Sequence, residues 1–332
     1  MLRKTCVVAI ALMTLALFGL PAAQAAQTFK LGFGDPPDSD QGAYAERFKA
    51  VVEGLSDGEI KIELFSGGAL GTETEMLQSA RKGTLDLALV FSGNAVPFVK
   101  ELGTLTMPYL IKNEYDAVKV TTGELGKMWN EICIKKGGFR ILGWTYSNFR
   151  HITNNTRPIT SLEDIKGMKI RVPQNKIHMA TYKAWDANPV PISWPETFTA
   201  LQQGVVDGQD NPYIVCYTSK FQEVQKYMTE VHHQYALQPL IIGERSWKKF
   251  DDKTRDILIR AGIEAQQYNL LFQVSEASKA KAAMEAAGVQ MDNLTDEDEW
   301  IRLAKEKVWP EFYDFIGGKE MLDKVQDTLE AK

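Results

Sequence analysis

Cysteine and histidine are scarce: three cysteines and four histidines stand in 332 residues. His151, His178, His232 and His233 leave little material for a histidine-rich metal site. The motifs C-x-x-C, H-E-x-x-H and G-x-S-x-G are all missing. There is no block of basic residues and the formal charge is -5, which argues against nucleic acid as a partner. Past the N-terminus no apolar run approaches the ~20 residues of a membrane span. The best, Tyr235–Ile242, is interrupted by Gln238 and Pro239. Compositional bias is missing too. With 44% hydrophobic and 24% charged residues, disorder, collagen-like repeats and a disulfide-dense scaffold are excluded. Gly67-Gly68-Ala-Leu-Gly71-Thr72 lacks the lysine of a phosphate loop, and Gly32-Phe-Gly34 lacks the third glycine of a dinucleotide loop. No cofactor or metal is therefore expected.

What is present begins at the N-terminus. Arg3 and Lys4 precede an apolar run from Cys6 to Leu20 and a small-residue Ala23-Gln24-Ala25. That order predicts a signal peptide over residues 1–25 and export to the periplasm. Cleavage would remove two bases and no acid, moving the charge from -5 to -7. An anionic ligand then has to be attracted by local cations. Of the remaining cysteines, Cys133 and Cys216 read either as a disulfide permitted by export or as two buried thiols.

Length suggests two domains at roughly 100–200 residues each. Strand-like runs at 28–34, 59–65 and 85–91 alternate with helical ones, and Thr72-x-x-Glu75 forms a capping box. The alternation restarts after Gly138, with Lys169-Ile-Arg-Val172 a strand stopped by Pro173. Such an order predicts α/β lobes with βαβ units. From Asp252 to Ala287 there is no proline and only Gly262. This segment is either one helix of about 35 residues, ~50 Å long, crossing both lobes, or two helices broken at Gly262.

Three polar features survive as candidate chemistry. Arg171 sits near the C-terminal end of a strand expected to be apolar on both faces, the place where ligands bind open α/β sheets. Arg150 stands alone and reads by default as a surface ion pair. Asp207, Gln209, Asp210 and Asn211 crowd what reads as a loop between Val205 and Pro212, either as turn chemistry or as ligand contacts. His232 and His233, adjacent in a strand-like run, would point to opposite faces and could not share a metal ion.

The run Leu70-Gly-Thr-Glu-x-Glu-Met-Leu77, then Gly83-Thr-x-Asp86, Arg157-Pro-Ile159, Lys169-Ile-Arg-Val-Pro173, Phe198-Thr-Ala-Leu-Gln-Gln-Gly204 and Val206-Asp-Gly-Gln-Asp-Asn-Pro212 resemble the DctP-like solute receptors of TRAP (tripartite ATP-independent periplasmic) transporters. The likeness runs from about residue 28 to 320. It implies a two-lobed α/β periplasmic-binding-protein fold with mixed and parallel sheets and a long helix crossing both lobes. Lobe 1 would comprise 26–148 plus about 238–270, and lobe 2 would comprise 149–237 plus about 271–332. By this resemblance Arg171 pairs with a ligand carboxylate, Arg150 and Asn211 add contacts, and Trp194 covers the ligand. Asp35, Glu73, Phe91 and Asn94 are the nominated first-lobe contacts. Asp210 replaces the family's usual glutamate. The implied partners are a small organic acid (a C4-dicarboxylate, a sugar acid or another carboxylate) and integral membrane permease subunits. A sulfonate would fit the same guanidinium fork. The rival reading is a secreted α/β enzyme using Glu73, Glu75 or Asp207 as acid or base.

Overall fold

A computed structural model describes residues 26–331; the signal-peptide expectation for 1–25 lies outside the described residues. The strand-like runs form strands where the apolar alternation places them. β1 (Gln27–Phe33), β2 (Ile60–Phe65) and β3 (Leu87–Leu89) join β4 (Phe139–Phe149) and β10 (Tyr235–Gly243) in one sheet, ordered β2-β1-β3-β10-β4. The βαβ segment pairs in parallel, while β10 runs antiparallel to β3 and β4. The second sheet comprises β5 (His151–Asn154), β6 (Lys169–Val172), β7 (Asn188–Pro191), β8 (Gly208–Asn211), β9 (Tyr227–Glu230) and β11 (Gln290–Asn293). Its order is β11-β9-β5-β8-β6-β7, with β6 parallel to both neighbours and β5 antiparallel to both of its own.

The chain passes between the sheets at three places. Arg150 is the single residue between β4 and β5, and residues 231–234 link β9 back to β10. The two links touch, because the Arg150 backbone N–H donates to Gln234 O at 2.9 Å. The third crossing is helical. Asp252–Ala286 is one unbroken 35-residue helix, capped by the Asp251 side chain accepting from Thr254 N. Gly262 is there for close approach and makes no break. A Cβ on it would lie 2.1 Å from Leu142 O, and its own carbonyl accepts from the Tyr44 hydroxyl. The N-terminal half buries Ile257, Leu258, Ala261 and Ala265 against β4 and helix α1 (Asp40–Leu55). The C-terminal half buries Ala277, Ala280 and Met284 with Ile214, Phe221 and Met228 of the second sheet's layer. Deleting a fully buried leucine such as Leu258 costs about 2–5 kcal/mol. The helix thus belongs to both cores.

Some expected boundaries shift. β10 begins at Tyr235, so 235–237 pair in the first sheet. Within the tail, Trp309, Phe312, Ile316, Leu322 and Val325 join the cluster around the first sheet's helices instead of the second sheet's core. There Lys119 Nζ donates to Thr328 O and Leu329 O near the end of the chain. An apolar stripe on the last helix, Lys319–Glu330, needed cover, and the helix Glu114–Thr121 supplies it. Asp207–Asn211 also needs correcting. Residues 208–211 are β8, a fully buried central strand rather than a loop. Its polar side chains tolerate burial because each finds a partner. His232 and His233 lie in the connection before β10, not in a strand, although their side chains do diverge. Cys133 and Cys216 are free buried thiols. Among the described residues, no helix is long and apolar enough to cross a membrane.

Candidate functional site

Between the sheets lies a narrow cleft whose atom-free space, about 390 Å³, includes a part open to solvent. Asp35, Glu73, Phe91, Asn94, Arg150, Arg171, Trp194 and Asn211 all line it, together with Gln41, Gln238 and a few apolar residues. The eight residues nominated from sequence are therefore brought together in one place.

The second sheet supplies the cations. Arg171 is held in β6 by ladders to β7 and β8, which set its side chain at the C-terminal end of a parallel strand. Its Nε donates to Ile192 O at 3.0 Å, and its guanidinium carbon sits 5.4 Å from the Trp194 ring centroid. That leaves the terminal nitrogens without a salt bridge among the described residues, on a side chain only 3% exposed. Burial and the neighbouring Arg150 lower its pKa to about 9. A charged fork in this state is costly until an anion meets it.

Arg150 is placed differently. Its Nε donates to Asp210 Oδ2 at 2.8 Å and its Nη2 to Oδ1 at 3.2 Å, with the Phe91 ring 5.0 Å away. The expected surface ion pair is thus a buried one. His178 Nε2 and His233 Nε2 lie 2.9 and 3.0 Å from the same Oδ2. Burial disfavours the charge on Asp210, but Arg150 and His178 hold its carboxyl well below the usual range. Burial also lowers His178 to about 4, so this imidazole is neutral at pH 7. His178, Asp210 and His233 have the composition of a metal-ligand set. The geometry disfavours that use, since the Arg150 guanidinium already engages both carboxylate oxygens and would repel a cation. Asn211, next along β8, donates from Nδ2 to Gln209 Oε1 at 2.6 Å and faces the cavity.

The first sheet supplies acids and amides. The capping box of helix α2 (Glu73–Lys82) occupies Thr72 and Glu75, which leaves Glu73 in the first turn free to face inward. Its Oε2 accepts from Phe91 N at 2.8 Å and Asn94 Nδ2 at 2.7 Å, and its Oε1 from Gln41 Nε2 at 3.1 Å. Burial nevertheless raises its pKa. Asp35 follows β1, with its backbone N–H donating to Gln41 Oε1. Burial, then Asp40 and Glu73, push its carboxyl well up. Gln41 also donates to Gln238, which in turn donates to Ser147 Oγ at 2.6 Å. Gly34 marks the closeness of the walls: a Cβ there would lie 3.1 Å from both Glu73 Oε1 and Trp194 Cδ1.

Glu75 and Asp207 are not part of the cavity. Glu75 accepts from Thr72 N and Oγ1, and Asp207 accepts from Lys169 N at 2.7 Å. Both are structural acceptors, which removes two of the three residues on which an enzyme reading rested. Gln41, Gln238 and the histidine partners of Asp210 escaped the sequence reading. Gln238 did leave a signal, as a polar side chain inside an otherwise apolar strand.

Residues 32–314 match the DctP family, bacterial extracellular solute-binding protein, family 7. The chain belongs to this family. The sialic acid-binding periplasmic protein SiaP of Vibrio cholerae is 31% identical over 308 residues, covering 92% of this chain and 95% of that one. A TRAP periplasmic solute-binding protein from Polaromonas sp. JS666, bound to D-erythronate, superposes with a TM-score of 0.86 at 32% identity. It covers 92% of this chain and 100% of that chain. The sugar acid-binding protein DctPAm from Advenella mimigardefordensis, in complex with galactonate, gives 0.88 at 30% identity, with 92% and 98% covered. The fold is accordingly the two-lobed fold of TRAP receptors, and the protein is a TRAP-type solute-binding receptor.

Proposed function

We propose that this receptor works in the periplasm, captures a small organic acid anion between its lobes and delivers it to a TRAP-type membrane permease. The observation that carries the reading is Arg171. A buried guanidinium with its terminal nitrogens facing a cavity and no ion pair among the described residues is a binding group waiting for an anion. Its planar fork matches a carboxylate in two hydrogen bonds, which an ammonium cannot do. Asn211 adds a neutral donor, and Trp194 lies over the guanidinium face. Charge-assisted bonds contribute about 1.5–3 kcal/mol each. Two or three of them supply about 3–9 kcal/mol against the ordering cost of binding.

Arg150 contributes positive potential and fixes the geometry through Asp210, and its place at a crossing between the sheets couples the site to lobe closure. A receptor that closes on its ligand presents the permease with a shape distinct from the empty one. The D-erythronate and galactonate bound by similar receptors are in keeping with an organic acid here. Capture without turnover fits a site where Glu73, the one cavity acid on which the enzyme reading rested, is engaged as an acceptor by amides. Native mass spectrometry of freshly purified protein is expected to show one small acid released unchanged on denaturation. Conversion of that acid by the pure protein would favour the enzyme reading instead.

A further inference from the structure

Exposed apolar surface gathers on one element. Five of the eight large hydrophobic side chains exposed among the described residues belong to the helix Asp252–Ala286, so this is a patch and not scatter. Four of them, Ile259, Ile263, Leu271 and Val274, follow helical spacing and share one face. The N-terminal part of that face borders a groove whose atom-free space, about 1470 Å³, is partly open to solvent. Ile259, Ile263 and Leu270 line it with Val118 and with Leu142 and Trp144 of β4. Leu271 and Val274 lie beyond the groove and stand 74% and 56% exposed. The face thus carries a recess and a ridge, with Ile263 and Leu271 about 12 Å apart at ~1.5 Å per residue. β4 is the edge strand of its sheet, but it does not invite another strand. Its Ile141, Trp144 and Tyr146 N–H groups donate to the side chains of Asn130, Gln266 and Asn269 at 2.9, 3.0 and 2.7 Å. The recess is therefore suited to a row of side chains and not to an extended peptide.

We propose that its occupant is a second copy of this chain, packed helix against antiparallel helix about a two-fold axis near Gln267. That axis sets Leu271 and Val274 of each copy over Ile263 and Ile259 of the other, so a ridge fills a recess twice. Both features lie on one unbroken helix, and a single copy cannot bring them together. A partner with a ridge alone would leave Leu271 and Val274 in water. One with a recess alone would leave the groove empty. The charges agree with the pairing. Glu285 of one copy comes near Lys249 of the other; both are exposed and without a salt bridge among the described residues. Lys253 and Lys281 also approach, but Glu59 and Glu230 already neutralise them. None of the facing residues lines the cleft, so the dimer leaves both ligand sites free. The inference stands whichever acid is bound.

The test is the solution mass of the mature protein, by light scattering and sedimentation equilibrium, from about 1 to about 100 µM. The dimer mass is expected at the upper end, falling towards the monomer mass on dilution. Leu271→Glu and Ile263→Glu are each expected to weaken the dimer at least about tenfold. Their circular dichroism melts should match the wild-type monomer, because both side chains already meet water. Val205→Glu, at an exposed position in the other lobe, should leave the mass unchanged. Gln267→Cys is expected to cross-link to itself under mild oxidation, since Cys133 and Cys216 are buried, and Val205→Cys is not. A monomer at every concentration overturns the proposal and leaves this face to another partner. So does a dimer that both glutamate variants leave intact, or one that Gln267→Cys fails to cross-link. Should a glutamate variant fail to fold, the cross-link decides.

Discussion

The wall of the cleft on the second-sheet side holds two buried guanidiniums, and the wall on the first-sheet side holds the carboxyls of Asp35 and Glu73, the latter engaged by amides. On the cationic wall the two arginines sit in contrasting surroundings. Arg150 is neutralised by Asp210, which His178 and His233 also approach, whereas Arg171 has only a carbonyl and an indole face. On the acidic wall, burial raises Asp35, Asp40 and Glu73 together. The cationic wall is complete as folded except for the single charge of Arg171. Ligand recognition centres on that exception, and the surrounding polar groups hold it in place.

The contrast can be broken first at Asp210. Asp210→Ala strips Arg150 of its partner and leaves a buried charge uncompensated. A stability loss of about 3–5 kcal/mol is expected in urea unfolding of the ligand-free protein. On the opposite wall, Asp40 should respond in the other direction. Its carboxyl is raised to about 6 by burial, so its favourable contribution is present below the unfolded value of 3.8 and is lost as pH rises through about 6. Asp40→Asn is expected to stabilise the protein at pH 8 by up to about 3 kcal/mol and to change little near pH 4, as read from denaturation midpoints at both pH values. A flat difference across that window would remove the assigned role of burial. The smallest expected effect is at Trp194. Replacement by alanine removes the face stacked on Arg171 and should cost about 1 kcal/mol of ligand affinity, roughly fivefold, with the fold unchanged.

How much of this was legible in the sequence depended on whether the signal was local. Arg171 stood out because a charge interrupts an apolar strand. The Thr72–Glu75 capping box fixed where α2 begins and hence where Glu73 points. The Asp252–Ala286 segment was readable as helix, but Gly262 left its continuity open. Only the contact with Leu142 O explains that glycine. The links among Gln41, Gln238, Asp40 and Ser147 join residues 91 to 198 positions apart. No periodicity encodes such pairings. Asp210 was visible as one of a crowd of polar residues, but its arginine and histidine partners come from three separate stretches of chain. That crowd looked like a loop because buried polar strands are rare, and it became a strand because each side chain found its partner. The packing of Leu322 and Val325 near the helix Glu114–Thr121 was hidden for the same reason.

The central claim is that the unpaired Arg171 fork, and not positive charge in general, captures the ligand. Titration calorimetry of Arg171→Lys against the wild-type protein, using the acid recovered from the native receptor, tests it most directly. The account predicts a loss of about 100-fold in affinity, near 3 kcal/mol, although the charge is retained. Affinity within twofold of wild type would contradict it.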